Sequence, residues 1–204
     1  MRFSEWVEKG MSDILSKMYH HWMGFKNREP NNEYYGIYRK GKRDEFRKFV
    51  HGYIPLRGMF KDMVTVNVGG GPIPLKFYSK EEILVDPLIT NLKLNFPEKY
   101  LKGVRTLNEC IEETSIKSNH AHLVYCKKTI EYIEDWKKAI SEMHRILKNK
   151  GYLVLIYHSS QGDNTNLNML RNVDMKEHLE SVGFDILKFE KNSETYTKIL
   201  ARKI

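Results

Sequence analysis

Short apolar runs alternate with amphipathic segments along most of this chain. From residue 63 onward, apolar and β-branched runs predict buried strands over residues 64–68, 83–85, 104–107, 121–126, 152–157, 184–189 and 195–202. Apolar positions spaced as on one helix face predict helices over residues 130–147 and 175–181, which Gly151 and Gly183 would end. Strands that alternate with helices predict an α/β fold, with a mostly parallel sheet covered on both faces.

The first 60 residues have a different pattern from the rest. They are rich in aromatic side chains, and apolar positions at helical spacing predict helices over residues 5–18 and 43–50, with a loop at residues 26–32. We expect residues 1–60 to form an N-terminal helical cap that packs on a main domain of residues 61–204. The alternative is that the aromatic residues form a lid over a substrate.

The composition is that of an ordinary globular protein. Of the 204 residues, 41% are hydrophobic and 29% are charged, and no apolar run reaches the roughly 18 residues that a membrane span needs. The N-terminus lacks the apolar segment of a secretory signal peptide. Cys110 and Cys126 are too few for a disulfide framework and lack metal-ligand spacing. We therefore expect reduced thiols, a cytoplasmic location and no metal site.

The formal net charge of +8 raises the question of an anionic partner. Lysines are spread through the whole chain, which is typical of a solvated surface. The densest basic cluster is residues 39–43, Arg-Lys-Gly-Lys-Arg, and it leaves a nucleic-acid partner open as an alternative.

The first predicted strand breaks into three glycines, Gly69, Gly70 and Gly71, and the second ends at Asp86. Glycines let the backbone approach a ligand, and an acid at the tip of the next strand can accept hydrogen bonds from ribose. A dinucleotide site would need a further glycine, and a P-loop would need Gly-Lys-Ser/Thr. Pro72 and Pro74 also remove amide donors that a pyrophosphate would use. A nucleoside cofactor without phosphates, such as S-adenosylmethionine, fits this turn better.

Five segments then extend the pattern in a fixed order: residues 66–72, 85–88, 108–113, 122–126 and 142–155. The last reads Glu-Met-His-Arg-Ile-Leu-Lys-Asn-Lys-Gly-Tyr-Leu-Val-Leu and is similar to the signature E-x-x-R-V-L-K-P-G-G-x-L-V-L. In this order and spacing the segments resemble the class I S-adenosylmethionine-dependent methyltransferases, specifically the type 11 group. The resemblance implies a Rossmann-like fold whose last strand is antiparallel.

The resemblance also implies which residues form the cofactor site. The glycine turn would contact the methionine part, Asp86 would bind ribose, and Glu109 with Cys110 would lie near adenine. The complete set of expected cofactor-binding residues is Asn67, Gly69, Gly70, Gly71, Pro72, Asp86, Pro87, Leu88, Glu109, Cys110, Tyr125 and Cys126.

The chain departs from the family pattern at several positions. Asn67 stands where the family usually has an acid, Lys150 replaces a loop glycine, and His122 replaces a common aspartate. The stretch between Gly71 and Asp86 is short, so we expect the first helix to be reduced to a turn. These departures leave a non-catalytic partner subunit of the same fold as an alternative.

Methyl transfer to oxygen needs a general base, and histidine titrates near neutral pH. His158 follows the fifth strand, at the edge where open α/β sheets bind ligands, and is the candidate base; the alternative is a structural histidine. Tyr132 is expected near the transferred methyl group, or packs its helix on the sheet. Lys127 and Lys128 could line the pocket or face solvent, and Arg171 could bind an anionic acceptor. His20 and His21 have no partner spacing for a metal.

We therefore expect an S-adenosylmethionine-dependent methyltransferase that acts on a small-molecule or sugar-linked hydroxyl, or on an amine. Residues 85–88 and 158–166 resemble methyltransferases encoded beside polysaccharide genes, which favours a sugar acceptor and a role in polysaccharide biosynthesis. The alternatives are an RNA methyltransferase, which would use residues 39–43, and the non-catalytic subunit.

Overall fold

A seven-stranded sheet forms the centre of the protein in a computed structural model, which describes residues 32–54, 59–90, 98–158, 170, 173–191 and 196–204. The strands lie in the order β3-β2-β1-β4-β5-β7-β6. Strands β1 to β5 are parallel, and β7 runs antiparallel to both β5 and β6. The predicted Rossmann-like sheet with an antiparallel last strand is confirmed. The strands are β1 (Val64–Val68), β2 (Glu81–Val85), β3 (Arg105–Leu107), β4 (Ala121–Lys127), β5 (Leu147–His158), β6 (Phe184–Lys191) and β7 (Tyr196–Lys203).

The described α-helices are α1 (Asn32–Val50), α2 (Trp136–Ile146) and α3 (Met175–Val182). Single 3-10 turns lie at Met59–Asp62, Glu98–Tyr100, Ile111–Glu113 and Ile130–Tyr132. Helix α3 ends as predicted, because Gly183 adopts a φ of +105° and its N–H bonds the last turn. Among the described residues, no helix is both long and apolar enough to span a membrane.

The predicted helix over residues 130–147 is wrong at both ends. Asp135 accepts a hydrogen bond from the N–H of Lys138 at 3.0 Å, so α2 begins after Asp135 and the 3-10 turn is separate. The helix ends at Ile146, and Gly151 lies inside β5. A Cβ at Gly151 would lie 2.8 Å from the carbonyl oxygen of Lys148. The glycine therefore allows this close backbone approach at the irregular start of β5.

Helix α1 is longer than the predicted helix over residues 43–50. Two glycines, Gly36 and Gly41, interrupt its first half and hide the helical pattern there. Its C-terminal half packs on the sheet, since Phe46 contacts Phe77 and Tyr125 with ring centroids 5.1 Å and 5.7 Å apart. Part of the predicted cap, residues 1–31, lies outside the described residues, and a boundary at residue 60 stays a prediction.

The sheet separates two hydrophobic cores. One core packs α2 and α3 against the alternate strand positions that include Val66, Val124 and Leu153. The other packs α1 against the opposite positions, which include Leu123, Val154 and Leu200. Burial on both faces explains why the parallel strands are continuous apolar runs.

No helix follows β1, and the expected reduction of the first helix is confirmed. Residues 71–80 are all described and form a turn followed by a segment without regular secondary structure. Leu75 and Phe77 of this segment are buried in the core beneath α1, where a helix would otherwise pack. The segment returns the chain to the start of β2 and leaves the carboxyl ends of β1 and β2 adjacent.

Candidate active site

The glycine turn at the end of β1 is built around Gly69. Its φ is +61°, and its N–H donates to the carbonyl oxygen of Val85 at 2.8 Å. A Cβ at Gly69 would lie 2.1 Å from Cγ2 of Thr129, so the residue that follows β4 closes directly on the turn. The hydroxyl of Thr129 lies 3.2 Å from the carbonyl oxygen of Val68 and 3.3 Å from that of Gly69. Packing inside the protein therefore requires glycine at this position.

Asp86 joins the glycine turn to the end of β2. Its Oδ2 accepts a hydrogen bond from the N–H of Gly71 at 2.9 Å, and its Oδ1 accepts one from the N–H of Leu88 at 2.9 Å. The side chain is buried, and burial raises its pKa although both backbone N–H groups act to lower it. Each carboxylate oxygen has a second lone pair, so Asp86 can accept hydrogen bonds from a ligand while it orders the turn.

The segment after β3 meets the same edge of the sheet. The N–H of Asp86 donates to the carbonyl oxygen of Leu107 at 3.1 Å, which links the ends of β2 and β3. Glu109 accepts hydrogen bonds from the N–H and the hydroxyl of Ser115, at 2.9 Å and 2.7 Å, and so orders the turn at Ile111–Glu113. Cys110 is half-buried; burial first, then Glu112 and Asp86, raise its pKa to about 12. Its thiol is therefore neutral and lies within electrostatic reach of Asp86.

Asn67 lies in β1, two residues before Gly69. Its side-chain amide is buried, and Nδ2 donates to the carbonyl oxygen of Leu75 at 3.1 Å. Its Oδ1 has no hydrogen-bond partner within the part of the chain that the structure describes. A buried acceptor without a partner is costly, and the N–H of a ligand or a water molecule can satisfy it.

The remaining expected cofactor residues differ in exposure. Pro72 and Leu88 are buried, and Pro87 is half-buried beside Asp86. Tyr125 and Cys126, at the end of β4, point to opposite faces of the sheet and lie in the two hydrophobic cores. Their contact with a cofactor stays a prediction.

A second group of side chains lies at the carboxyl end of β5. His158 is the last residue of β5 and pairs with Tyr196, the first residue of β7. Their ring centroids lie 4.3 Å apart, and Nζ of Lys128 lies 4.7 Å from the Tyr196 ring centroid. Burial, followed by the charge of Lys128, lowers the pKa of His158. The imidazole is therefore neutral at neutral pH and able to accept a proton.

Glu131 is the residue in this region that sequence analysis missed. It belongs to the 3-10 turn Ile130–Tyr132, is 1% exposed, and its Oε1 accepts a hydrogen bond from the N–H of His158 at 3.5 Å. Its Oε2 has no partner among the described residues, and burial raises the pKa of this carboxyl to about 7. The available signal was an acid placed between aliphatic residues, Ile130 and Ile133, right after a buried strand.

Tyr132, in the same turn, is half-buried. Burial, followed by the charges of Glu131 and Tyr196, raises the pKa of Tyr132 above its usual value. The structure therefore brings Tyr132, Glu131 and Tyr196 together at the edge where His158 ends β5.

Lys127 and Lys128 have different surroundings. Lys127 forms an ion pair with Glu45 of α1, which also pairs with Lys198 at 3.1 Å. Lys127 therefore fixes α1 to β4 and β7, whereas Lys128 is exposed and has a φ of +54°.

His122 belongs to the opposite edge of the sheet, near the start of β4. Its Nδ1 accepts a hydrogen bond from the N–H of Val64 at 2.9 Å, and its Nε2 lies 3.1 Å from Nζ of Lys148. Burial first, then Lys148, lower the pKa of His122, so its ring is neutral and links β4 to β1 and β5. Lys150, the other departure in this region, adopts a φ of +63° at the irregular start of β5.

Residues 39–43 do not form one uniformly exposed basic patch. Lys42 and Arg43 are half-buried, and Nζ of Lys42 donates to the carbonyl oxygen of Ile73 at 3.5 Å.

No group of three or more potential metal ligands occurs within the described ranges. The predictions for His20, His21, Arg171 and residues 159–166 lie outside the described residues.

Part of the chain resembles a known protein family. Residues 75–155 match the model of the methyltransferase domain family, from the segment after the glycine turn to the middle of β5. The glycine turn itself precedes the matched range. No curated protein sequence matches the chain.

Solved structures share the fold. A candidate S-adenosylmethionine-dependent methyltransferase of Listeria monocytogenes has a TM-score of 0.61 at 15% identity, covering 81% of this chain and 99% of that one. A candidate methyltransferase of Thermotoga maritima gives 0.59 at 16% identity, covering 95% and 100%. The methyltransferase CalH, in a complex with SAH, gives 0.55 at 14% identity, covering 71% and 52%. Residues 75–155 therefore match a methyltransferase domain, and the described sheet has the fold of S-adenosylmethionine-dependent methyltransferases.

Proposed function

We propose that this protein is an S-adenosylmethionine-dependent methyltransferase that transfers the methyl group to a hydroxyl or amine of a small-molecule or sugar-linked acceptor. The observation that carries the proposal is that two sets of groups share one edge of the sheet. Asp86 and the glycine turn lie at the ends of β1 and β2, and a neutral histidine, His158, lies at the end of β5. Ligands of open α/β sheets bind outside this edge.

The residues of the first set fit the cofactor. When bound, S-adenosylmethionine supplies a methyl group that is already activated on a sulfonium. In this proposal Asp86 accepts hydrogen bonds from the ribose, and the segment at Glu109 and Cys110 lies beside adenine. The unpartnered Oδ1 of Asn67 supplies an acceptor for the ammonium group or a bridging water, in place of the usual carboxylate.

His158 is the proposed general base. Its lowered pKa keeps the imidazole neutral at neutral pH, so that a ring nitrogen can take the proton of the acceptor hydroxyl. Its place in the sheet is fixed by pairing with Tyr196 and by the contact of its N–H with Glu131. Tyr132 would lie beside the reacting groups and help to exclude water.

Replacement of His158 tests the proposal. Formation of S-adenosylhomocysteine is measured with a panel of sugar and small hydroxyl and amine acceptors, for the native protein, His158→Ala and His178→Ala. We expect His158→Ala to lower kcat about 100-fold, the typical size of general-base catalysis. His178→Ala is the matched control, because the pKa of His178 is also lowered by burial and by a lysine, Lys137, and His178 lies in α3 with its ring against Trp136.

Equal loss in the two variants would contradict a base at residue 158. The full native rate in His158→Ala would do the same. A role in polysaccharide biosynthesis and a cytoplasmic location remain predictions from the sequence.

A further inference from the structure

We propose that the methyl acceptor carries an anionic group, a carboxylate or a phosphate, which binds Lys128 beside Tyr196 and His158. This inference rests on the proposed function, because it assigns the acceptor side of the same site. Lys128 directly follows β4, the strand that lies between β1 and β5. It therefore stands between the proposed cofactor residues and the proposed base.

The geometry forms a small polar platform. The Tyr196 ring contacts both the Lys128 ammonium, 4.7 Å from its centroid, and the His158 imidazole, whose centroid is 4.3 Å away. The N–H of Lys128 donates to the carbonyl oxygen of Ile156 at 2.7 Å, which fixes the left-handed backbone of Lys128 against β5. The platform therefore holds an ammonium and an imidazole against one tyrosine ring, at the edge of the sheet where the proposed acceptor would bind.

Lys128 differs from the neighbouring lysines in its charge balance. Lys127 and Lys198 share Glu45, and Lys188 pairs with Glu190 at 2.9 Å. Lys128 forms no ion pair with an acid of the described ranges. The carboxyl group of Glu131 interacts electrostatically with Lys128, but it is buried and only partly ionised at neutral pH.

A lysine that has no ion pair within the described ranges and contacts the same ring as the proposed base favours an anionic acceptor. Burial and, after it, the positive charge of Lys128 lower the pKa of His158, which keeps the base unprotonated before the acceptor arrives. An oxyanion bound to Lys128 would screen that charge and raise the basicity of His158 once the acceptor is in place. The described titratable or charged groups that face His158 are Lys128, Glu131, Tyr132 and Tyr196.

The test is an NMR pH titration of the His158 imidazole in the full chain, assigned with His158→Gln. Titrations are run in sodium chloride, in inorganic phosphate and in acetate, all at equal ionic strength. We expect at least one of the two oxyanions to raise the pKa of His158 saturably, by about half a unit relative to chloride. Phosphate alone would indicate a phosphorylated acceptor, and acetate alone a carboxylic acid.

Lys128→Met supplies the decisive comparison. It should raise the pKa of His158 in chloride and abolish the further effect of the oxyanions. The chain also contains a matched control, because Lys137 lies 5.6 Å from the Trp136 ring centroid and the ring of His178 contacts Trp136. Burial and, after it, the charge of Lys137 lower the pKa of His178. The pKa of His178 should rise in Lys137→Met. Phosphate and acetate should leave the pKa of His178 at its value in chloride.

Three results would overturn the proposal: no oxyanion effect on His158 beyond that of chloride, the same effect in Lys128→Met, or an equal effect on His178. The titration needs neither cofactor nor turnover, so its failure is distinct from failure of the proposed methyl transfer. Acceptor pairs that differ only in an anionic group extend the test. Lys128→Met should lower kcat/KM about 10-fold more for the anionic member than for the neutral member.

Discussion

Gly69→Ala should destabilise the protein by about 3 kcal/mol, because two costs add at one position. The φ of +61° is unfavourable for any residue with a Cβ. The new Cβ would also lie 2.1 Å from Cγ2, 2.4 Å from Oγ1 and 2.8 Å from Cβ of Thr129, which is 6% exposed and cannot move into solvent. The free energy of unfolding, measured by urea denaturation, gives the result directly.

Substitutions at two other glycines measure the cost of backbone strain and the cost of steric overlap separately. Gly52 has a φ of +85° and open space around a new Cβ, so Gly52→Ala reports backbone strain alone, about 1 kcal/mol. At Gly70, which lacks a left-handed φ, a Cβ would lie 3.0 Å from Cδ1 of Leu84, and Gly70→Ala reports packing alone. A loss at Gly69 no larger than at Gly52 would show that Thr129 does not close on the turn.

The pair of positions can also be tested for coupling. In the double variant Gly69→Ala with Thr129→Ala, the methyl and hydroxyl groups nearest the new Cβ are gone. We therefore expect the double variant to be more stable than the sum of the two single losses. Strict additivity would contradict the contact.

Glu131→Gln should remove a large pH dependence from the stability of the protein. Burial raises the pKa of Glu131 from 4.5 to about 7, so the folded state binds this proton more tightly than the unfolded state. The stabilisation from this group is complete below pH 4.5 and is lost as the pH rises through 7. The shift corresponds to about 3 kcal/mol. As the pH rises from 5 to 8, the native protein should thus lose about 2 kcal/mol of unfolding free energy that Glu131→Gln does not lose.

The comparison isolates Glu131 because both proteins share the other titrating groups. His122, His144, His158 and His178 have lowered pKa values and act in the opposite direction, since they destabilise the fold as the pH falls below 6.5. Glu134→Gln, at an exposed position nearby, is the matched control. Urea denaturation curves of the native protein and Glu131→Gln that shift in parallel with pH would exclude a raised pKa at residue 131.

Much of the fold follows from local sequence patterns. The buried strands are apolar runs with clear boundaries, and β1 was predicted at the residues where it lies, Val64–Val68. Boundaries were wrong where a contact distant in sequence, or a cap, decides them. Leu147 leaves the helical pattern because it pairs with Ala121 of β4, and this pairing cannot be seen in the local spacing.

The two halves of the site also differ in how far the sequence predicts them. The ends of β1 and β2 carry a motif, and the structure brings Gly71 and Asp86 together as the motif implies. The other half depends on Tyr196, which reaches His158 only through antiparallel pairing of β7 with β5. Thr129 and Glu131 act through burial against distant residues, and no short motif encodes that burial.

Calorimetric titration with S-adenosylhomocysteine tests the central claim, that the cofactor's ribose binds at the adjoining ends of β1 and β2. Native protein should bind the ligand, and Asp86→Ala should weaken binding by more than 1 kcal/mol, roughly one hydrogen bond to a charged group. Asp185→Ala, which removes a surface ion pair with Arg202, should leave binding unchanged. No binding by the native protein, or equal affinity in Asp86→Ala shown to be folded by circular dichroism, would contradict the account.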